Sequence, residues 1–129
     1  MKKYIIRNVP QARTGFTSIE YRAYSLWGKE IGIIRINVTL GALCEITFFN
    51  VKEKWRHQSV GKALMEATVK EARKLGVTEI TVHPLSDVAE IETPLTPPEL
   101  YDIYEHLGFE LDDENSNKNE YRHKMIRII

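Results

Sequence analysis

A chain of 129 residues, 43% hydrophobic and 28% charged, can bury a core of its own without metals or disulfides, and disorder is not its default state. Its 18 basic and 18 acidic residues cancel, so the basic surplus of a nucleic-acid binder is missing. Cys44 has no second cysteine to pair with, no apolar run approaches the roughly 20 residues of a membrane span, and the run after Lys2 and Lys3 is too short for a signal peptide. The expected setting is the cytoplasm, with neither membrane nor nucleic acid as a partner.

Lys3–Val9 is a β-rich run that stops at Pro10, and Gln11–Gly15 reads as a polar turn. Ser18–Leu26 alternates, with Ile19, Tyr21, Tyr24 and Leu26 as its bulky members, and Trp27-Gly28-Lys29-Glu30 reads as a hairpin turn. Ile31–Leu40 and Leu43–Val51 follow, separated by Gly41-Ala42; their β-branched and aromatic content predicts an antiparallel meander. Trp27 and Trp55 are read as packing residues, and Cys44 as a small core residue.

After Trp55 the period changes. Val60, Leu64, Ala67, Ala72 and Leu75 recur at helical spacing among charged residues, and Gly76 suits the left-handed position that ends a helix. Thr78–Val82 is a short strand closed by His83-Pro84. Strand, helix and strand in this order form a crossover, so Leu43–Val51 and Thr78–Val82 should run parallel. Leu85–Leu95 reads as an acidic loop. Thr96-Pro97-Pro98-Glu99 carries start signals for a helix that runs to Leu107 and stops at Gly108. Phe109–Leu111 and Glu120–Ile128 are the last strands, joined by the polar turn Asp112–Asn119. The expected fold class is α+β, a single domain over residues 1–129 with a mixed, mostly antiparallel sheet, a parallel βαβ core and two main helices.

The turn Lys52–Gly61 opens the first helix. A helix start offers unbonded N–H groups and a partial positive charge, which suit a phosphate or diphosphate. Ser59 and Gly61 are small enough for close backbone approach, and Arg56, His57 and Lys62 add cationic groups. Spacing alone leaves two readings open, an anion site and a plain tight turn.

The order strand, Arg56-x-x-Ser59-x-Gly61, helix and strand, followed by Tyr104-x-x-x-Gly108-Phe109, resembles the GNAT family of N-acetyltransferases over Ile31–Phe109. That family's coenzyme motif is Arg/Gln-x-x-Gly-x-Gly/Ala, and its second hallmark is Tyr-x-x-x-Gly-Phe. The resemblance implies acetyl-CoA as co-substrate, in a cleft between the two parallel strands. Its pantetheine arm would pair with the backbone of Phe49, Asn50 and Val51. Its diphosphate would meet the amides of His57, Gln58, Ser59, Val60, Gly61, Lys62 and Ala63, beside Arg56. The sequence departs from the family in four places. Ser59 stands for the first glycine, Thr96-Pro97-Pro98 replaces a region where many members carry Asn, and Leu85–Leu95 is longer than usual. The segment between the first strand and Ser18 is too short for the two helices that usually help wall the acceptor site, so the N-terminal helices are expected to be short or absent. An acceptor side left open in this way favours a bulky substrate or a second subunit, as in a homodimer.

Acetyl transfer to an amine needs a base for the amine proton and an acid for the departing thiolate. The resemblance assigns the acid to Tyr104, otherwise a core tyrosine beside Tyr101 and Leu107. It assigns the base to Glu45, whose neighbours Leu43, Ile46 and Phe48 would bury it in part; otherwise Glu45 is an exposed strand residue. His83 is the weaker relay candidate, and His106 reads as surface. His83, Asp87, Glu90 and Glu92 lack a recognised ligand spacing, so no metal is expected. The acidic loop points to a cationic amine as acceptor. The second functional reading is a catalytically inactive CoA-sensing or protein-binding module on the same fold.

Overall fold

The computed structural model describes residues 3–9, 17–39, 43–56, 58–84, 97–111 and 124–129. The turn at Gln11–Gly15, Gly41-Ala42, His57, the loop Leu85–Leu95, Thr96 and the turn Asp112–Asn119 lie outside them.

Strands β1 (Tyr4–Val9), β2 (Thr17–Ser25), β3 (Glu30–Thr39) and β4 (Leu43–Val51) form the expected meander. Helix α1 (Val60–Lys74) leads to β5 (Glu79–Val82), and helix α2 (Pro97–His106) to β6 (Glu110–Leu111) and β7 (Met125–Ile128). They build one seven-stranded sheet in the order β1-β2-β3-β4-β5-β7-β6. The pair β4–β5 is parallel, as the crossover requires, and every other pair is antiparallel. A short 3-10 turn at Glu53–Trp55, unmarked in the sequence pattern, lies between β4 and α1.

Directly opposed residues on neighbouring strands share a face. Ile19, Tyr21 and Ala23 oppose Ile36, Ile34 and Gly32, and α1 buries Val60, Leu64, Met65, Val69 and Ala72 against that face. Gly32 lets the helix sit close, since a Cβ there would lie 3.0 Å from Leu64 Cδ1 and 3.3 Å from Val60 Cγ1. Helix α2 packs on the same side, with the Tyr104 ring 5.9 Å from Phe49. Among the described residues no helix covers the other face.

That open face holds a buried acid that the alternating pattern does not announce. Glu20 is 2% exposed, and each carboxylate oxygen accepts a 2.8 Å bond, one from Arg22 Nε and one from Arg35 Nε. Arg22 also pairs with Glu30 at 2.9 Å. A buried carboxylate is tolerated when paired on both oxygens. Trp27 corrects the packing expectation: it is 97% exposed at the tip of the β2–β3 hairpin, whereas Trp55 does pack against the core.

Strand β4 is irregular where it matters. Arg35 opposes Phe48 but Ile36 opposes Ile46, so Thr47 is an extra residue whose Oγ1 donates to the Arg35 carbonyl at 3.3 Å. A bulge of this kind re-aims the side chains beyond it. Phe49 and Val51 thereby oppose Ile34 and Gly32 on the helix side. Pairing with β5 registers only at Cys44↔Ile80 and Glu45↔Thr81, while β4 runs on to Val51. Its far end is left without a registered β5 partner, beside the start of α1.

Both helices stop in the same way. Gly76 (φ +82°) ends α1, with Val77 N–H bonded to Ala72 O at 3.2 Å and Gly76 N–H to Arg73 O at 3.1 Å. Gly108 (φ +94°) ends α2, with Phe109 N–H bonded to Tyr104 O at 2.9 Å and Gly108 N–H to Glu105 O at 3.1 Å. This double bond pattern is the Schellman cap, which also brings the residues at its two ends into apolar contact. Here those residues are Tyr104 and Phe109, whose rings meet edge-on at 5.4 Å. Tyr-x-x-x-Gly-Phe is therefore a structural unit that fixes the Tyr104 side chain.

Candidate active site

A cleft of about 710 Å³ opens between the end of β4, the start of α1 and one face of α2. Phe49, Asn50 and Val51 line it from β4, and Arg56, Ser59, Gly61 and Lys62 from the turn. From α2 come Leu100, Ile103, Tyr104 and Leu107, with Glu99, Asp102 and His106 beside them. The sequence marks Tyr104 on this wall but not the wall itself, although the spacing 100, 103, 104, 107 is a helical stripe in plain view.

At the turn, Ser59 is the N-cap of α1 with φ 65° and ψ 8°, the left-handed region, and its side chain makes no capping bond. It is the only non-glycine residue with positive φ among the described residues. The family's glycine suits this position through its freedom of conformation as well as its small size. The Ser59 carbonyl accepts a bond from Ala63 N–H at 3.0 Å and another from the Tyr4 hydroxyl at 3.2 Å. Tyr4 had no functional signal in the sequence.

One of the expected amides is already used within the helix. Ala63 N–H already closes the first helical bond, so it is not open to an anion. The amides of Val60, Gly61 and Lys62, the first three residues of the helix, make no bond to another described residue, as expected for a first turn. The Val60 side chain is a core residue, 1% exposed, so only its amide can serve the cleft. Gln58 turns its side chain to the Lys54 carbonyl, at 2.9 Å, and does not line the cleft. Arg56 Nε donates to the Val51 carbonyl at 2.9 Å, tying the turn to the end of β4. A Cβ on Gly61 would lie 3.3 Å from Phe49 Cζ, so this position also keeps the cleft clear.

Tyr104 is 5% exposed and lines the cleft, and its hydroxyl has no hydrogen-bond partner among the described residues. Burial raises its phenol above the ordinary value of 10. The group is therefore a proton donor held in low dielectric. His106 is exposed, as expected, but also reaches the cleft rim, where its Nδ1–H donates to the Asp102 carbonyl at 2.7 Å.

Glu45 departs from its expected setting. It opposes Asn37, on the face away from α1, and is exposed rather than partly buried. It does not line the cleft that Tyr104 lines. Its β5 neighbour Thr81 donates to the Cys44 carbonyl at 3.2 Å, and His83 is exposed outside the cleft. No group of His, Cys, Asp or Glu able to hold a metal occurs among the described residues.

Cys44 is 3% exposed, and desolvation, with the Glu45 carboxylate adding to it, pushes its thiol up to about 12. Only the thiolate is nucleophilic. At pH 8 the native protein should therefore leave a disulfide-exchange reagent unreacted, with the single thiol titrating only in denaturant. Rapid reaction of the folded protein would contradict this burial.

A family model described as an acetyltransferase (GNAT) domain matches residues 15–111. No curated protein sequence matches the chain. Among solved structures, nourseothricin acetyltransferase is similar with a TM-score of 0.70 and 16% identity, over 98% of this chain and 99% of its own. A GNAT-family acetyltransferase from Staphylococcus aureus Mu50 is similar at 0.67 and 11% identity, over 86% of this chain and 67% of that one. PaiA N-acetyltransferase from Thermoplasma acidophilum, solved in complex with coenzyme A, is similar at 0.64 and 18% identity, over 87% of this chain. The present chain spans only 61% of that protein's length. The match over residues 15–111, on a fold shared with these acetyltransferases, makes this chain a member of the GNAT acetyltransferase family.

Proposed function

We propose that this chain transfers acetyl from acetyl-CoA to a primary amine by direct attack, with both substrates bound together. The observation that carries the reading is the buried Tyr104 hydroxyl, unpartnered among the described residues, in a cleft that begins at three helix-start amides. Buried polar groups are nearly always bonded, so a hydroxyl without a partner among the described residues is open to a ligand atom or a water.

The coenzyme's diphosphate accepts bonds from the amides of Val60, Gly61 and Lys62, with the Arg56 and Lys62 charges alongside. The pantetheine arm lies along Phe49–Val51, against the apolar stripe of α2. The coenzyme-bound relative from T. acidophilum supports the choice of ligand. The amine nitrogen attacks the thioester carbonyl, and Glu45 takes the amine proton directly or through water. The C–S bond then breaks, and the sulfur takes the Tyr104 proton. Solvent afterwards reprotonates the phenolate and accepts the proton from Glu45.

Acid and base serve different atoms in this scheme, so Tyr104 and Glu45 need not touch. The registered β4–β5 pairing covers only Cys44 and Glu45, so Glu45 stands where that pairing ends and the two strands are free to part. The acidic residues Asp87, Glu90 and Glu92 favour a cationic acceptor, and a link between β1 and β2 too short for two helices favours closure of the acceptor side by a second subunit.

Release of free CoA in the presence of a panel of primary amines tests the reading. Amine-dependent release supports it. The separation of Glu45 from the cleft favours the second reading, a coenzyme-binding module without turnover. Uptake of acetyl-CoA with no release against any amine would support that one instead.

A further inference from the structure

The left-handed turn at Ser59 is strained and yet has no help from its own side chain. A non-glycine residue in this region is disfavoured by its Cβ and persists only where its surroundings over-determine it. Ser59 makes no capping bond, so the hold on it must come from elsewhere. Two bonds reach its carbonyl, from Ala63 N–H at 3.0 Å and from the Tyr4 hydroxyl at 3.2 Å. The first is the ordinary opening bond of any α-helix. The second is not part of the helix pattern and comes from an edge strand 55 positions away in sequence.

We propose that Tyr4 is a positioning residue for the anion-binding turn, its phenol holding the Ser59 carbonyl so that a serine keeps the conformation a glycine would adopt unaided. This rests on the reading that the turn binds the coenzyme diphosphate. The peptide plane that carries the Ser59 carbonyl also carries the Val60 N–H, and Gly61 and Lys62 follow directly. Rotation of φ at Ser59 toward the right-handed region swings that plane and scatters the three amides. Tyr4 therefore acts through backbone geometry and touches no ligand. Its ring packs against the core, so replacement by phenylalanine removes the hydroxyl alone.

The test is calorimetric titration of CoA into four proteins: wild type, Tyr4→Phe, Ser59→Gly and the double variant. One net hydrogen bond corresponds to about a threefold to tenfold change in an equilibrium. Tyr4→Phe should lose that much CoA affinity. Ser59→Gly should bind at least as tightly as wild type, and the double variant should match Ser59→Gly. Such rescue cannot come from a merely structural role of the hydroxyl, because glycine adds no contact near Tyr4. Equal affinity in wild type and Tyr4→Phe overturns the role of Tyr4 alone. An equal loss in the serine and glycine backgrounds also overturns it. A loss of CoA affinity from Ser59→Gly to the double variant overturns it even if Tyr4→Phe alone is poorly folded. Wild-type protein that takes up no CoA overturns the proposed function and this role with it.

Discussion

Tyr104→Phe should lower amine-dependent CoA release by about a hundredfold to ten-thousandfold, the range of a lost general acid. Coenzyme affinity should stay within a few-fold of wild type, because the ring that meets Phe49 and Phe109 is retained. Stability should hold or rise by about 1 kcal/mol, since a buried hydroxyl without a partner among the described residues is removed. That combination separates the two roles of the residue. A core tyrosine would lose stability and keep turnover; a general acid does the reverse.

The same burial sets a pH signature. Desolvation lifts the Tyr104 phenol above 10 in the folded state. Above pH 10 the unfolded chain has released a proton that the folded protein still holds, so this group makes stability fall as pH rises. Below pH 10 both states are protonated and the contribution is flat. Denaturant titrations of wild type and Tyr104→Phe should therefore differ in slope only on the alkaline side. A difference that opens at neutral pH would contradict the assignment.

Gly108→Val should be among the most damaging single changes, costing about 2–3 kcal/mol. Its φ of +94° is closed to a β-branched residue, and a Cβ there would lie 3.3 Å from Arg127 Nε and 3.4 Å from Arg127 Cδ. Arg127 cannot easily give way, because its Nη1 is bonded to Glu66 of α1 at 3.1 Å and its side chain is only 17% exposed. The change strikes the cap that holds the Tyr104 carbonyl, so turnover should fall together with melting temperature. Gly108→Asn, which tolerates the left-handed region better, should fall between wild type and the valine variant in a thermal melt. Equal melting temperatures for all three proteins would exclude the cap as the fixed point of Tyr104.

The order of elements was legible because each carries its own period or stop signal. Leu64, Ala72 and Gly76 announce α1 and its end, and Pro97 to Gly108 brackets α2 from both sides. The paired hallmarks Arg56–Gly61 and Tyr104–Phe109 were legible for the same reason: both are local backbone devices written in glycine and its neighbours. Properties that arise only once strands are paired were not legible. The bulge at Thr47 depends on how β3 and β4 align, and it places Glu45 on the face opposite Phe49. Glu20 reads as an outward residue from alternation and becomes buried because Arg22 and Arg35 close over it. Ser59 gives no local sign that its backbone is left-handed, and the partner that reaches it, Tyr4, lies far away in sequence.

Titration of acetyl-CoA into the wild-type protein by calorimetry tests the central claim most directly. A cleft that begins at the amides of Val60, Gly61 and Lys62 and ends at Tyr104 should take up one coenzyme per chain, saturably, with a dissociation constant in the range of about 1 μM–1 mM. Absence of saturable binding at millimolar acetyl-CoA would contradict it.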